Sequence, residues 1–249
     1  GPGVPVTALD SRELRAWAYL SAVAEPPCAS LITLTERYGA VETAQMVKTR
    51  RLPAGNGGVL KATEARHAAD TAARDLDTAA GLGARLLTRD HPDWPEWPLL
   101  ALEQASTAHR GGGPLALWVR GTPSLAETAS SAIGVVGARA ASPYGENVAG
   151  RLGGDLAAAG WTVVSGAAYG IDGAAHRGAL AAGGVTAAVL ACGIDRDYPA
   201  GHSRLLARMG KRPLLELEMR LGEGSGAMAA VPLVAMACAG VTQVPTFGE

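Results

Sequence analysis

Between Ala132 and Cys192 the chain repeats one pattern: a short apolar run, a glycine-rich turn, then residues that read as helix. The stretches are AIGVVGARAASPYG, VVSGAAYGIDGAAH and VTAAVLACG. Parallel strands need a crossover between them, and apolar runs alternating with helices supply it. The pattern therefore predicts an α/β fold, a doubly wound parallel sheet. In such a sheet the loops at the strand ends converge on one crevice, where ligands bind.

Upstream the pattern is helical. Leu14, Trp17, Ala18 and Leu20 share one face, Pro26-Pro27 interrupts, and Leu31, Leu34, Tyr38 and Val41 resume the spacing, with Gly39 as punctuation. Residues 12–52 read as a small all-helical N-terminal module. The run LTERYGAVETA is similar to helix-hairpin-helix (or SAM-type) DNA-binding modules; the plainer reading of these residues, and the one preferred, is a helical adaptor without a ligand. Pro53–Gly58 is a linker, and residues 60–80 read as one Ala-rich helix. Ala84–Thr88 reads as a strand, followed by a loop that carries Trp94 and Trp97 among prolines. Those tryptophans either stack on bases or plug the domain edge. Leu115–Val119 reads as a further strand ending at Gly121.

Composition removes several classes. Hydrophobic residues make up 48% of the chain, enough for a core, but aromatics only 4%, so Ala, Val and Leu must fill it. A net charge of −1 argues against a broad phosphate-binding surface and leaves room for a local basic groove. Cys28, Cys192 and Cys238 are far apart and show no CxxC spacing, so neither a disulfide framework nor a metal site is predicted. No apolar run reaches the length of a membrane span, and the first ten residues lack a signal-peptide pattern. The expectation is a cytoplasmic protein without a membrane partner.

The first glycine turn is GVVGAR, residues 134–139. Ser142 is placed as an N-cap, Pro143 as the first helical residue, and Val148, Leu152 and Leu156 as the buried face of the helix that follows. Exposed backbone N–H groups at such a turn favour an anion, Gly137 either serves this turn or allows close strand–helix packing, and Arg139 can clamp a phosphate or simply lie in solvent. GxGxxG is absent and no GK[ST] follows, which speaks against a dinucleotide fold or a nucleotide-hydrolysing motor. The second turn runs from Ser165 and Gly166 to Tyr169, Gly170, Ile171 and Asp172. Here Ser165 can donate to phosphate, Tyr169 can stack, and Asp172 is placed as a helix cap. His176 follows, in a functional or a structural role. No GxSxG elbow accompanies the Ser, His and Asp. A third strand, Val185–Ala191, runs into Cys192-Gly193-Ile194-Asp195.

The motifs VGARAASPYG, VVSGAAYGIDGAAH and VLACGIDRDYPAGH, with WPLLAL and LALWVRG before them, resemble the DNA-processing protein A (DprA/Smf) family over about residues 12–206. The resemblance implies an extended Rossmann-like domain over 60–206. It also implies binding of single-stranded DNA and loading of the RecA recombinase in natural transformation, competence and recombination, with no catalysis and no cofactor. It carries the phosphate-binding turn to Gly137, Ala138 and Arg139, and the second DNA-facing turn to Ser165, Gly166, Gly170 and Ile171, with Tyr169 and Asp172 beside them. Tyr169 stands where many members carry Arg. A homodimer is a further expectation.

Beyond about Leu206 the family's SExPPG-like turn, RNR segment and late VVVEA-like strand are missing from the sequence. Residues 201–249, centred on MRLGEGSGA, resemble instead the end of nicotinate-nucleotide–dimethylbenzimidazole phosphoribosyltransferase (CobT). That likeness implies an alternative, a phosphoribosyltransferase of cobalamin lower-ligand synthesis acting on nicotinate mononucleotide and dimethylbenzimidazole, with Glu223 as general base; an inactive chimeric Rossmann module is the remaining alternative. A glycine-rich turn before a helix at 227–239 is the other reading of those residues. Residues 207–249 are therefore expected to form an atypical tail. Without a late strand, the sheet would end on an unpaired edge.

Overall fold

The computed structural model describes residues 10–25, 28–104, 112–191, 193 and 215–217. The helical region comes first. It holds α1 (Ser11–Val23), α2 (Ala29–Tyr38), α3 (Ala40–Thr49), α4 (Gly57–Ala62) and α5 (Ala72–Gly81). Asp10 caps α1 by accepting from the Arg12 amide, and Gly39, at φ 78°, separates α2 from α3.

The single helix expected over 60–80 is broken. The Tyr19 hydroxyl donates to the His67 carbonyl at 2.6 Å. The Arg50 guanidinium donates to the Thr63 hydroxyl and the Leu60 carbonyl, each at 2.8 Å. Asp70 accepts from the Ala72 amide and pairs with Lys48 at 2.6 Å. Tertiary bonds to the backbone thus outweigh a good local helix propensity.

The strands are β1 (Ala84–Thr88), β2 (Ala116–Arg120), β3 (Ala132–Gly134), β4 (Thr162–Ser165), β5 (Thr186–Ala191) and β6 (Leu215–Leu217). They form one six-stranded sheet in the order β1-β2-β6-β5-β4-β3. The parallel sheet expected from the glycine-turn pattern is present in β3, β4, β5 and β6, and β1 and β2 extend it with antiparallel pairing. The sequence reading found no strand beyond residue 206. The structure corrects this: β6 fills the place between β2 and β5, so β5 is not an edge. Three residues show no periodicity of their own, and β6 lies outside the glycine-turn repeat that marked the equally short β3.

Register assigns the faces. Leu215 pairs with both Val119 and Val189, and Glu216 with both Trp118 and Leu190. Val119 and Val189 therefore share one face with Leu117, Val164 and Ala187. There they pack with Trp94, Leu99, Leu102 and Leu125 from α6 (Glu96–Gln104), α7 (Leu125–Ser130) and the loop before them. On the opposite face the helical region covers β1 and β2 through Leu86, Ala116 and Trp118. The same face of β4 packs through Val163 against α9 (Ile171–Ala181) and α8 (Pro143–Ala158).

Helices α8 and α9 touch through backbone. A methyl group on Gly178 would overlap the Gly150 carbonyl oxygen, and one on Gly153 would overlap that of Ala175. This overturns the expected buried face of α8. Val148 and Leu152 are 44% and 47% exposed, Leu156 is half-buried, and the buried positions are Ala149 and Gly153. Small residues bring the two helices closer than a leucine stripe would allow.

Candidate nucleic-acid interface

The first turn leaves β3 at Gly134. Val135 is still buried and donates its amide to the Val164 carbonyl at 2.9 Å, whereas residues 136–140 lie exposed. Ser142 then caps α8 as expected, accepting from the Gly145 amide at 3.2 Å with Pro143 next in line. The chain thus presents Gly137, Ala138 and Arg139 at the surface, ahead of a 16-residue helix whose dipole favours negative charge there.

The second turn leaves β4 at Ser165, which is buried, with a hydroxyl that finds no hydrogen-bond partner among the described residues. Ala167 follows with φ 55°, a left-handed conformation that costs an alanine roughly 1–2 kcal/mol. Tyr169 is 54% exposed. Gly170 has φ 77°, and a side chain there would collide with the Ala138 and Arg139 carbonyls, the latter 2.6 Å from a Cβ. Only glycine fits.

These contacts join the two turns into one unit. The Ile171 amide donates to the Ala138 carbonyl at 3.3 Å. A Cβ on Gly137 would lie 2.6 Å from the Ile171 side chain. Asp172, expected as a helix cap, is not one: Gly170 holds the cap position and Asp172 lies in the first turn of α9. Its carboxylate instead accepts from the Gly137 amide at 3.3 Å and from the Ala168 amide at 3.4 Å.

His176 packs against the sheet and bonds to a hydroxyl, not to the backbone carbonyl expected of a structural histidine. It is buried, and its Nδ1 lies 2.6 Å from the Thr186 hydroxyl, which donates its own proton to the Val163 carbonyl at 2.7 Å. The hydroxyl therefore accepts from Nδ1–H, which sets the tautomer. Trp94 and Trp97 divide between their two readings. Trp94 is buried among the sheet residues, whereas Trp97 is 82% exposed. The third strand end, apart from Gly193, and Glu223 lie outside the described residues. Among those residues no three His, Cys, Asp or Glu gather as metal ligands, and no helix is long and apolar enough to cross a membrane.

Sequence reasoning missed three features of the site: the strained Ala167, the inward carboxylate of Asp172 and the α8–α9 backbone contact. The spacing of Gly150, Gly153 and Gly178 was a readable signal for the last. The conformation of Ala167 leaves no mark in the residue type, and the Asp172 carboxylate reaches an amide 35 residues away in the other turn.

The family model for DNA recombination-mediator protein A matches residues 85–224, more than half of the chain and both turns. The chain belongs to that family. A DNA processing protein DprA of Mycobacterium tuberculosis (strain H37Rv) is 50% identical over 206 residues, 82% of this chain and 52% of that protein. The chain thus spans about half the length of that curated relative. The crystal structure of DNA processing protein A from Streptococcus pneumoniae superposes with a TM-score of 0.61 over 91% of this chain and 76% of the other, at 20% identity. At that identity the likeness shows the shared fold. The C-terminal likeness is also found: a nicotinate-nucleotide–dimethylbenzimidazole phosphoribosyltransferase of Pseudomonas fluorescens is 57% identical over 54 residues, 22% of this chain and 15% of the enzyme.

Proposed function

We propose that this DprA-family chain binds single-stranded DNA, with the joined turns at Gly137–Arg139 and Ser165–Asp172 as its phosphate-binding surface. The observation that carries the reading is the pairing of the turns. Two strand-end loops lock together so that exposed Gly137, Ala138 and Arg139 stand at the start of α8, with exposed Tyr169 on the adjoining turn. Arg139 supplies a charged two-pronged donor, and Tyr169 offers a ring on which a base stacks. Such a surface reads backbone and stacking rather than sequence. On the same reading the chain hands the strand to the RecA recombinase in the cytoplasm, as a binding protein without catalysis.

The test is fluorescence anisotropy of a labelled poly-dT oligonucleotide at several salt concentrations, with a duplex control, on the wild-type chain and Arg139→Ala. The reading expects preference for the single strand, affinity about tenfold lower in the variant, and a salt slope smaller by about one phosphate contact. Unchanged affinity and slope in Arg139→Ala would remove the site from this surface.

A further inference from the structure

We propose that Asp172 is the positioning residue that holds the two glycine turns together, and that its carboxylate serves the phosphate-binding turn from inside without facing DNA. The proposal rests on the single-stranded DNA reading above. Each carboxylate oxygen serves a different turn: Oδ1 accepts from the Gly137 amide, Oδ2 from the Ala168 amide. The residue is 6% exposed. Room for it comes from Gly166, where a Cβ would stand 3.3 Å from Oδ2.

Oδ2 clamps the amide that directly follows Ala167, the residue held at φ 55°. Oδ1 clamps the amide two residues ahead of Arg139. One carboxylate thus holds a strained backbone in one loop and fixes the start of the cationic loop with the same charge. An anion that faced DNA would repel it. Turned inward onto two N–H donors, the charge is spent on the protein's own backbone. An asparagine at this place keeps the shape, but presents one amide nitrogen to an N–H group, so one turn must come free.

The experiment is a double-mutant cycle on the full chain with the poly-dT probe: wild type, Arg139→Ala, Asp172→Asn and the pair. If Asp172 acts through the Arg139 turn, Asp172→Asn weakens binding about tenfold and the pair is no weaker than either single variant. A roughly hundredfold loss in the pair, the product of independent effects, would overturn the proposal. So would tighter binding by Asp172→Asn, which would mark the carboxylate as a repulsive group facing the strand.

Amide hydrogen exchange provides an arm that needs no DNA. The Gly137 and Ala168 amides should exchange at least about tenfold faster in Asp172→Asn while β4 and β5 keep their protection. Unchanged exchange at both amides would refute the clamp whether or not the chain binds DNA. Absent DNA binding with accelerated exchange would leave the clamp standing and refute the DNA reading alone.

Discussion

Two aspartates show how one residue type does different work in this chain. Asp172 joins two loops inside the site, whereas Asp93 fastens the loop after β1 to α7. Burial pushes the Asp93 carboxyl up, but donors from Ser124, Arg85 and the Ala126 amide outweigh that and hold it below the ordinary value of 3.8. A folded-state value lowered in this way gives stability that is fully present above the ordinary aspartate range. That stability is lost as pH falls through the lowered value. Asp93→Asn should lower stability at neutral pH by about 2 kcal/mol, because a charged acceptor of several bonds is lost. It should also flatten the fall in Tm at pH below 3.8. Thermal unfolding followed by circular dichroism across pH checks both. An acid limb as steep as that of the wild type would show that other carboxylates carry it.

At the scale of elements, the contact between α8 and α9 determines how close the two glycine turns stand, because each helix begins at one of them. The contact is made by Gly150, Gly153 and Gly178 against backbone carbonyls. Gly178→Ala forces a methyl into the Gly150 carbonyl and should cost about 2 kcal/mol or more, as overpacking does in a tight core. Urea unfolding measures the loss, and an unchanged midpoint would mean that the helices part without penalty. Much of this level was legible in the sequence. The repeated strand–turn–helix pattern located β3, β4 and β5, and Ser142-Pro143 marked the start of α8. The buried face of α8 was not, because a leucine stripe at spacing four looks like a core face wherever it occurs. What reversed it was the glycine contact, a tertiary fact.

At the scale of the molecule, the sheet carries three groups of helices in two layers, one on each face. The helical region lies over β1 and β2, α8 and α9 lie beside it on the same face, and α6 and α7 cover the reverse. Strand β6 ties the antiparallel pair to the parallel strands. It lies within the stretch matched by the family model, past the point where the recognisable motifs end. The glycine turns were readable as a candidate site because their residues are local. Their union into one surface was not, since it depends on Asp172 and Gly170 meeting residues of the other loop. The most direct measurement is a two-dimensional amide spectrum of the isotopically labelled chain titrated with a short dT oligonucleotide. Binding at the joined turns predicts that the largest shifts fall on residues 137–139 and 165–171, with the amides of α6 and α7 still. Shifts centred on Trp97 and α6, with both glycine turns unmoved, would contradict it.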